Sequence, residues 1–496
     1  MVHTPLVVLS HLLVTSPYFT LPPSHSDSCL AHAPQYVAPG GRTVYFTDKA
    51  CVDGLPSDLL EFPQALVREV KTPSHDTSRL LWVERQKVDY VSPVAQEGYK
   101  YVWGELNQFF QRVHSIEDAS IGGLESQQEV LQSHATESHI VPQAQMLAQG
   151  PKYGLIAIHP SLIPIYDSLL PAHWRGSLLP ESLTNAATIP VPSTAVKRVQ
   201  HILDNFKFDP VVASLVHHIS VPQMKNDIRF LTGEDGKSGI VSRHSFSSGI
   251  RVAAEWIKER IEETGAACEL KPFLPGFGPN VICKYQGSAN STESILFSAH
   301  YDSRGSFGST RAPGGDDDGS GTIAILGIAR TIGRRGVKFR KNVELCLFAG
   351  EEQGLYGSRA YAREQRSLDA DYTLMVQADM LAYHVAGEPA QLGLPDLIGT
   401  PEVAQLIANA SAIYSPELTV GFTPACCSDH QSFHEQGYAA THLFERAGPI
   451  ADPMYHNSGD LSDREGYDFD QVKSIAKVQF ATLLHSAGYD VPSDDE

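Results

Sequence analysis

Apolar runs in the second half of the chain come in two periods. Residues 343–349 and 294–299 are short and largely apolar, the length of buried strands, and each ends on glycine or on charged and imidazole side chains. Similar runs lie around Cys283, Val376 and Leu443. Between them the spacing changes to that of a helix. Ile250, Ala253, Trp256, Ile257 and Ile261 recur at helical intervals, and further helices are predicted over 322–334, 358–367, 401–413 and 469–487. From Ala195 onward this βα alternation predicts an α/β unit, a mostly parallel sheet with helices on both faces.

The first part of the chain reads differently. Strand-like segments at 42–46, 79–85 and 153–159 alternate with a helical stretch at 102–115, and residues 115–138 are polar and read as a loop. The Pro-rich run at 189–193 marks a boundary. Three parts are therefore expected: a leader over 1–24, an N-terminal accessory or propeptide-like region over 25–195, and a catalytic domain over 196–496. The leader rests on the apolar stretch 6–13, too short to span a bilayer, followed by Pro17, Pro22 and Pro23, with cleavage expected between Ser16 and Ser28. With the sequons at Asn290 and Asn409 it points to a secreted, glycosylated protein, or alternatively a vacuolar one. The histidines of the N-terminal region (His114, His134, His139, His159, His173) are scattered and suggest surface or capping roles.

The 496 residues carry 38 Lys and Arg against 57 Asp and Glu, a net charge of −19, which argues against nucleic acid and anionic membranes as partners. A monomer is expected. Of seven cysteines, none lies in a CxxC motif; Cys346 falls in a buried strand, while Cys268 with Cys283, and Cys29 with Cys51, are candidate disulfides.

The candidate chemistry sits where strands end. In AGEEQGLYGS, Glu351 and Glu352 follow an apolar run and the break at Gly350. Neighbouring side chains at a strand end point in opposite directions, so one carboxylate can bind a metal and the other handle a proton. SILFSAHYDSRG places His300 and Asp302 after a strand, a spacing in which the Asp orients the metal-binding ring. APGGDDDGSG carries Asp316, Asp317 and Asp318 before a helix, TLMVQADMLAY ends on Asp379, and MYHNSGDLSD carries His456. Each segment alone is weak, since a lone His is usually structural and an acidic run usually a solvated loop. Five in one α/β pattern, with oxygen and imidazole ligands and no thiolate, suit catalytic zinc or manganese.

In this order the motifs resemble the dinuclear zinc exopeptidases of the bacterial leucyl aminopeptidase type, which include fungal secreted aminopeptidases. The resemblance covers roughly the last three fifths of the chain. It implies a three-layer α/β/α fold with a mixed, mostly parallel central sheet and two Zn2+ per chain. One zinc is implied at His300 and Asp379, the other at Glu352 and His456, with Asp317 bridging them. Glu351 is implied as general base and Asp302 as the group orienting His300. Two metals about 3.5–4 Å apart share one hydroxide in such sites, and peptide or protein N-termini are the implied substrates. Met380, Phe444 and Tyr455 fall at apolar pocket positions, implying release of apolar first residues such as leucine. A core role for these three is equally open.

One segment departs from the pattern. In TPACCSDHQSF, Cys426 and Cys427 are adjacent, Thr423 replaces the first of two spaced cysteines, and Ala425 replaces a tyrosine beside the substrate. A glutaminyl cyclase with one zinc and a metallocarboxypeptidase are the rival enzymes, the latter needing a cationic clamp from Arg304, Arg311 or Arg446. A receptor-like domain with a degenerate site is the non-enzyme alternative. It conflicts with the presence of every expected ligand.

Overall fold

The computed structural model describes residues 11–15, 28–39, 41–60, 65–70, 78–89, 99–119, 144–150, 152–179, 188–289, 291–307, 309–425 and 427–492. The chain divides into two units, one of residues 1–86 and 91–187, the other of Lys87–Tyr90 together with Thr188–Glu496.

The first unit holds two four-stranded antiparallel sheets. One has the order β2 (Gln35–Val37), β3 (Thr43–Thr47), β1 (His11–Thr15), β4 (Ala65–Glu69). The other has the order β6 (Ala144–Gln149), β7 (Tyr153–Ile158), β5 (Arg79–Arg85), β8 (Trp174–Leu178). They share a core of Leu12, Val14, Val44, Phe46, Trp82, Tyr153 and Leu155, with Trp82 stacked on Tyr153 at 5.0 Å. The helix expected over 102–115 runs Tyr99–Ala119, and residues 120–138 of the expected polar loop lie outside the described residues.

Within the stretch expected as a leader, residues 11–15 form β1, hydrogen-bonded on both sides, with Leu12, Leu13 and Val14 at most 1% exposed; the rest of 1–24 lies outside the described residues.

The second unit opens with helices α1 (Ser193–Asn205), α2 (Pro210–His217) and α3 (Val221–Leu231), ahead of any strand of its sheet. Asp209 and Ser220 cap the second and third, each with proline in the first turn. Then follow α4 (Ser248–Glu262), β9 (Ala267–Lys271), β10 (Asn280–Tyr285), β11 (Ser294–His300), α5 (Gly319–Arg335), β12 (Asn342–Phe348), α6 (Tyr356–Ser367) and β13 (Tyr372–Ala378). After them come α7 (Pro401–Tyr414), α8 (His430–Glu435), β14 (Ala440–Leu443) and α9 (Phe469–Ala487).

The six-stranded sheet has the order β14-β13-β11-β12-β10-β9, parallel except at the β12–β10 and β10–β9 pairs. It is mixed and mostly parallel, as expected. Alternate residues feed opposite layers: Ile295, Phe297, Leu345 and Leu347 pack with helices α4, α5 and α9, and Leu296, Cys346 and Phe348 pack with Tyr361 of α6 and Phe433 of α8. The result is three layers, α/β/α.

Cys268 and Cys283 stand opposite each other on β9 and β10 and are bonded, as are Cys29 and Cys51. Cys346 is buried and free. Asn290 and Cys426 lie outside the described residues; Asn409 lies mid-helix in α7, half-buried, its Oδ1 accepting from Gln405 at 2.8 Å. No helix among the described residues is long and apolar enough to cross a membrane.

Candidate metal centre

Three adjacent parallel strands deliver the site. His300 ends β11, directly beside Phe348 of β12, and Asp379 follows β13. Gly350, at φ 71°, then turns the chain after β12, where an added Cβ would lie 3.1 Å from Phe277. Glu351 and Glu352 emerge from that turn. His456 at φ 54° and Met380 at φ 52° are non-glycine residues in the left-handed region, a strained geometry that the surrounding packing holds.

Among the described residues two groups could each hold a metal: His300, Asp317 and Asp379, and Asp317, Glu352 and His456. Asp317 belongs to both. Its Oδ1 lies 3.2 Å from His300 Nε2 and its Oδ2 3.3 Å from His456 Nε2. Asp379 Oδ1 is 3.6 Å from His300 Nε2, and Glu352 Oε2 is 3.0 Å from His456 Nε2. Glu351 Oε2 stands 3.9 Å from His300 Nε2, outside both groups but against them.

The outer members of the acidic triplet have other tasks. Asp318 caps α5 by accepting from Gly321 N–H, and also accepts from the N–H groups of His300 and Met380. Asp316 Oδ1 accepts from Ala382 N–H, while the N–H groups of Asp316 and Asp317 donate to Asp460. Asp318 therefore ties three metal-site segments to one helix N-terminus. Buried Arg243 holds the triplet's loop from behind, donating to the carbonyls of Tyr301, Leu231, Pro313 and Gly314. Asp302 faces His300 Nδ1 at 3.4 Å and accepts from Ser245 Oγ at 2.9 Å.

The residues fit a divalent cation. Glu352 Oε1 is buried without a hydrogen-bond partner, and His300 Nε2 faces Asp317, Asp379 and Glu351 at 3.2 to 3.9 Å without a well-formed hydrogen bond, an arrangement buried polar atoms seldom keep. Burial opposes a charge on His300, but Glu351, Asp302, Asp317 and Asp379 outweigh it and hold the ring's pKa well above its usual value. Burial likewise works against a protonated His456, and Glu352 and Asp317 outweigh both burial and the nearby Arg304. Burial and the neighbouring Asp317 push Glu352 upward. An excess of carboxylates buried around two imidazoles is a strong attractor for positive charge, and the nitrogen and oxygen donors suit zinc.

Beside these candidate ligands in sequence lies an apolar cluster. Met380, Phe444, Ile450 and Tyr455 are at most 8% exposed, and Ala425, where a tyrosine was expected, packs on them. Tyr455 stacks on His456 with ring centroids 3.8 Å apart. Thr423 donates to the Gly448 carbonyl and accepts from Ala425 N–H, tying the rebuilt segment down without a spaced cysteine pair. Among the clamp candidates, Arg446 is held by Glu388 through two hydrogen bonds and by Asp89. Arg304 stands against His456 Nδ1 at 3.1 Å, and Arg311 is exposed.

Residues 280–482 match peptidase family M28. Leucine aminopeptidase 1 of Sclerotinia sclerotiorum is 29% identical over 283 residues, covering 50% of this chain and 71% of that protein. Leucine aminopeptidase 1 of Trichoderma harzianum is 28% identical over 303 residues, covering 57% and 73%. Among solved structures, the LapA aminopeptidase of Legionella pneumophila superposes with a TM-score of 0.55 at 17% identity, covering 72% of this chain and 96% of that one. LapB from the same organism gives 0.55 at 17%, covering 73% and 98%. At that identity these two structures speak for the fold.

Proposed function

We propose that this chain, which carries a peptidase family M28 domain over residues 280–482, is a zinc-dependent aminopeptidase that removes apolar first residues such as leucine from peptides. The observation that carries the reading is the pair of ligand groups sharing Asp317, with Glu351 alongside and in neither. The leucine aminopeptidase relatives support the same class.

Two zinc ions are proposed, one at His300, Asp317 and Asp379, the other at Asp317, Glu352 and His456. Held by these residues, zinc would supply polarisation of the scissile carbonyl and a water of lowered pKa. Glu351 takes the proton from the attacking water and returns it to the leaving amine. Asp302 keeps the His300 ring in orientation through Nδ1, leaving Nε2 for the metal. The carboxylate-rich surroundings favour a substrate with a free α-ammonium group, which a blocked or internal peptide lacks. The cluster of Met380, Phe444, Ile450 and Tyr455 receives the first side chain.

The disulfides Cys29–Cys51 and Cys268–Cys283 support work in an oxidising compartment, outside the cell or in a vacuole. Fractionation of the source cells tests that placement. The activity is tested with Leu-, Lys- and Glu-anilides beside N-acetyl-Leu-anilide. Cleavage of the Leu compound with the acetylated one untouched is expected. Equal cleavage of the acetylated compound would overturn the aminopeptidase reading. Cyclisation of an N-terminal glutamine peptide in place of hydrolysis would return the assignment to a glutaminyl cyclase.

A further inference from the structure

The apolar cluster beside the metal ligands has a member that comes from far away in sequence. Val88, half-buried, packs against Met380, Phe444, Ile450 and Tyr455. The short segment carrying it, Lys87–Tyr90, belongs to the second unit although the chain on either side of it belongs to the first. Val88 pairs with Ile450 as a parallel β-bridge, and Asp89 N–H donates to the Ile450 carbonyl at 2.8 Å. Asp89 Oδ2 then accepts from Arg446 Nη1 at 2.7 Å. Arg446 is itself fixed, by two hydrogen bonds to Glu388 at 2.9 and 2.7 Å and one to the Pro449 carbonyl at 3.0 Å. A backbone bond on one side and a guanidinium clamp on the other hold Val88 in a set position.

That position is next to the chemistry. Met380 directly follows Asp379, and Tyr455 directly precedes His456 on which it stacks. The cluster therefore joins residues adjacent to two candidate metal ligands with Val88, which packs against it. A β-branched side chain has little rotamer freedom, so it makes a rigid wall.

We propose that Val88 is a specificity-determining residue, the outer wall that sets how large a first side chain the pocket accepts. This rests on the aminopeptidase reading above. Medium apolar residues such as leucine fit a pocket walled by valine, and bulkier aromatic ones meet it. The strap of residues 87–89 thereby brings a part of the chain distant in sequence from every candidate ligand into the substrate site.

The test measures kcat/KM for Ala-, Leu- and Phe-anilides with full-length zinc-loaded protein. Val88→Ala should raise the Phe-to-Leu ratio and Val88→Phe should lower the Leu-to-Ala ratio, each by about tenfold or more, the scale of a few methylenes in an apolar pocket. Asp89→Ala, which frees the strap from Arg446, should blunt the discrimination in the parent direction. Zinc content and circular dichroism check folding, and if Val88→Phe does not fold, Val88→Ala alone decides. Unchanged ratios in variants that remain active would overturn the proposal. So would a KM that falls equally for all three substrates in Val88→Ala, because Val88 would then be filling the substrate's place and not walling it. A parent protein that cleaves no free-amine anilide would instead overturn the functional reading on which this one stands.

Discussion

Asp302 accepts a hydrogen bond from the backbone N–H of Glu351 at 3.3 Å, across 49 residues of sequence. Its other oxygen accepts from Glu352 N–H at 3.3 Å, and its carboxylate faces the His300 ring. One buried side chain thus sets the positions of the His300 ring on β11 and of the two carboxylates after β12. The roles of Glu351 and Glu352 diverge because the turn they occupy is fixed from below by Asp302, with the Glu352 side chain directed to His456 and the Glu351 side chain toward His300. The coupling also explains why a two-residue spacing, His300 to Asp302, has consequences 50 residues downstream.

Glu351→Gln is expected to retain its zinc and lose turnover. Glu351 lies outside both ligand groups, so the amide leaves the metal donors intact while removing the proton acceptor. The loss should be about 10²–10⁴-fold in kcat, the usual worth of a general base. Metal analysis and steady-state kinetics on the same preparation check it. A variant at the parent rate would show that Glu351 carries no proton.

Asp317→Asn should release both metals, because each of its oxygens faces a different histidine. His456→Ala, by contrast, should reduce zinc by one and leave the group of His300 and Asp379 occupied. Mass spectrometry of native, desalted protein counts the ions. Two zincs in the parent, one after His456→Ala and none after Asp317→Asn is the expected series; a single zinc in the fully active parent would exclude a shared bridge.

Much of this was legible in sequence because parallel strands announce themselves. Ser294–His300, Asn342–Phe348 and Tyr372–Ala378 are short apolar runs, and the residues after them must share one edge of the sheet, so His300, Glu351, Glu352 and Asp379 could be grouped without a structure. Asp318 could have been recognised as an N-cap from its place before Gly319-Ser320-Gly321. Val88 and Arg243 could not. Val88 meets Ile450 and Arg243 meets Gly314 only through loops, where no periodicity gives the pairing. The pairing of His11–Thr15 with Thr43–Thr47 and Ala65–Glu69 is likewise invisible to composition, because a short apolar run reads the same in a buried strand as in a leader.

Arg243→Met should unfold the triplet's loop more than its distance from the ligands suggests. Methionine fills similar volume but leaves the carbonyls of Tyr301, Leu231, Pro313 and Gly314 buried without their donor. Each unsatisfied buried acceptor costs roughly 1–3 kcal/mol. Lower thermal stability together with weaker zinc retention is expected. A variant of unchanged stability would mean that water replaces the guanidinium.

Stability should carry a pH-dependent contribution from His384, which belongs to neither candidate ligand group. Its Nδ1 lies 2.8 Å from Asp468 Oδ2 and its Nε2 2.7 Å from the Glu388 carbonyl. Both partners are acceptors, so the ring fits them best as the doubly protonated imidazolium. The Asp468 hydrogen bond, then the Glu388 carbonyl, hold its pKa above the usual value against modest burial. Asp468 also caps α9 through the N–H groups of Asp470 and Gln471, so the pair braces the start of the last helix. The folded state binds this proton more tightly than the unfolded chain, whose histidine titrates near pH 6.5. The contribution is therefore fully present below about pH 6.5, and it is lost as the pH rises through the raised folded value. Being partly solvent-exposed, the pair is screened and its contribution is small. Thermal melts of the parent and of His384→Gln, compared from pH 5 to pH 9, read it directly. The gap between the two proteins should be widest at the acid end and close toward the alkaline end; a gap that is constant with pH would show that the proton on His384 contributes nothing.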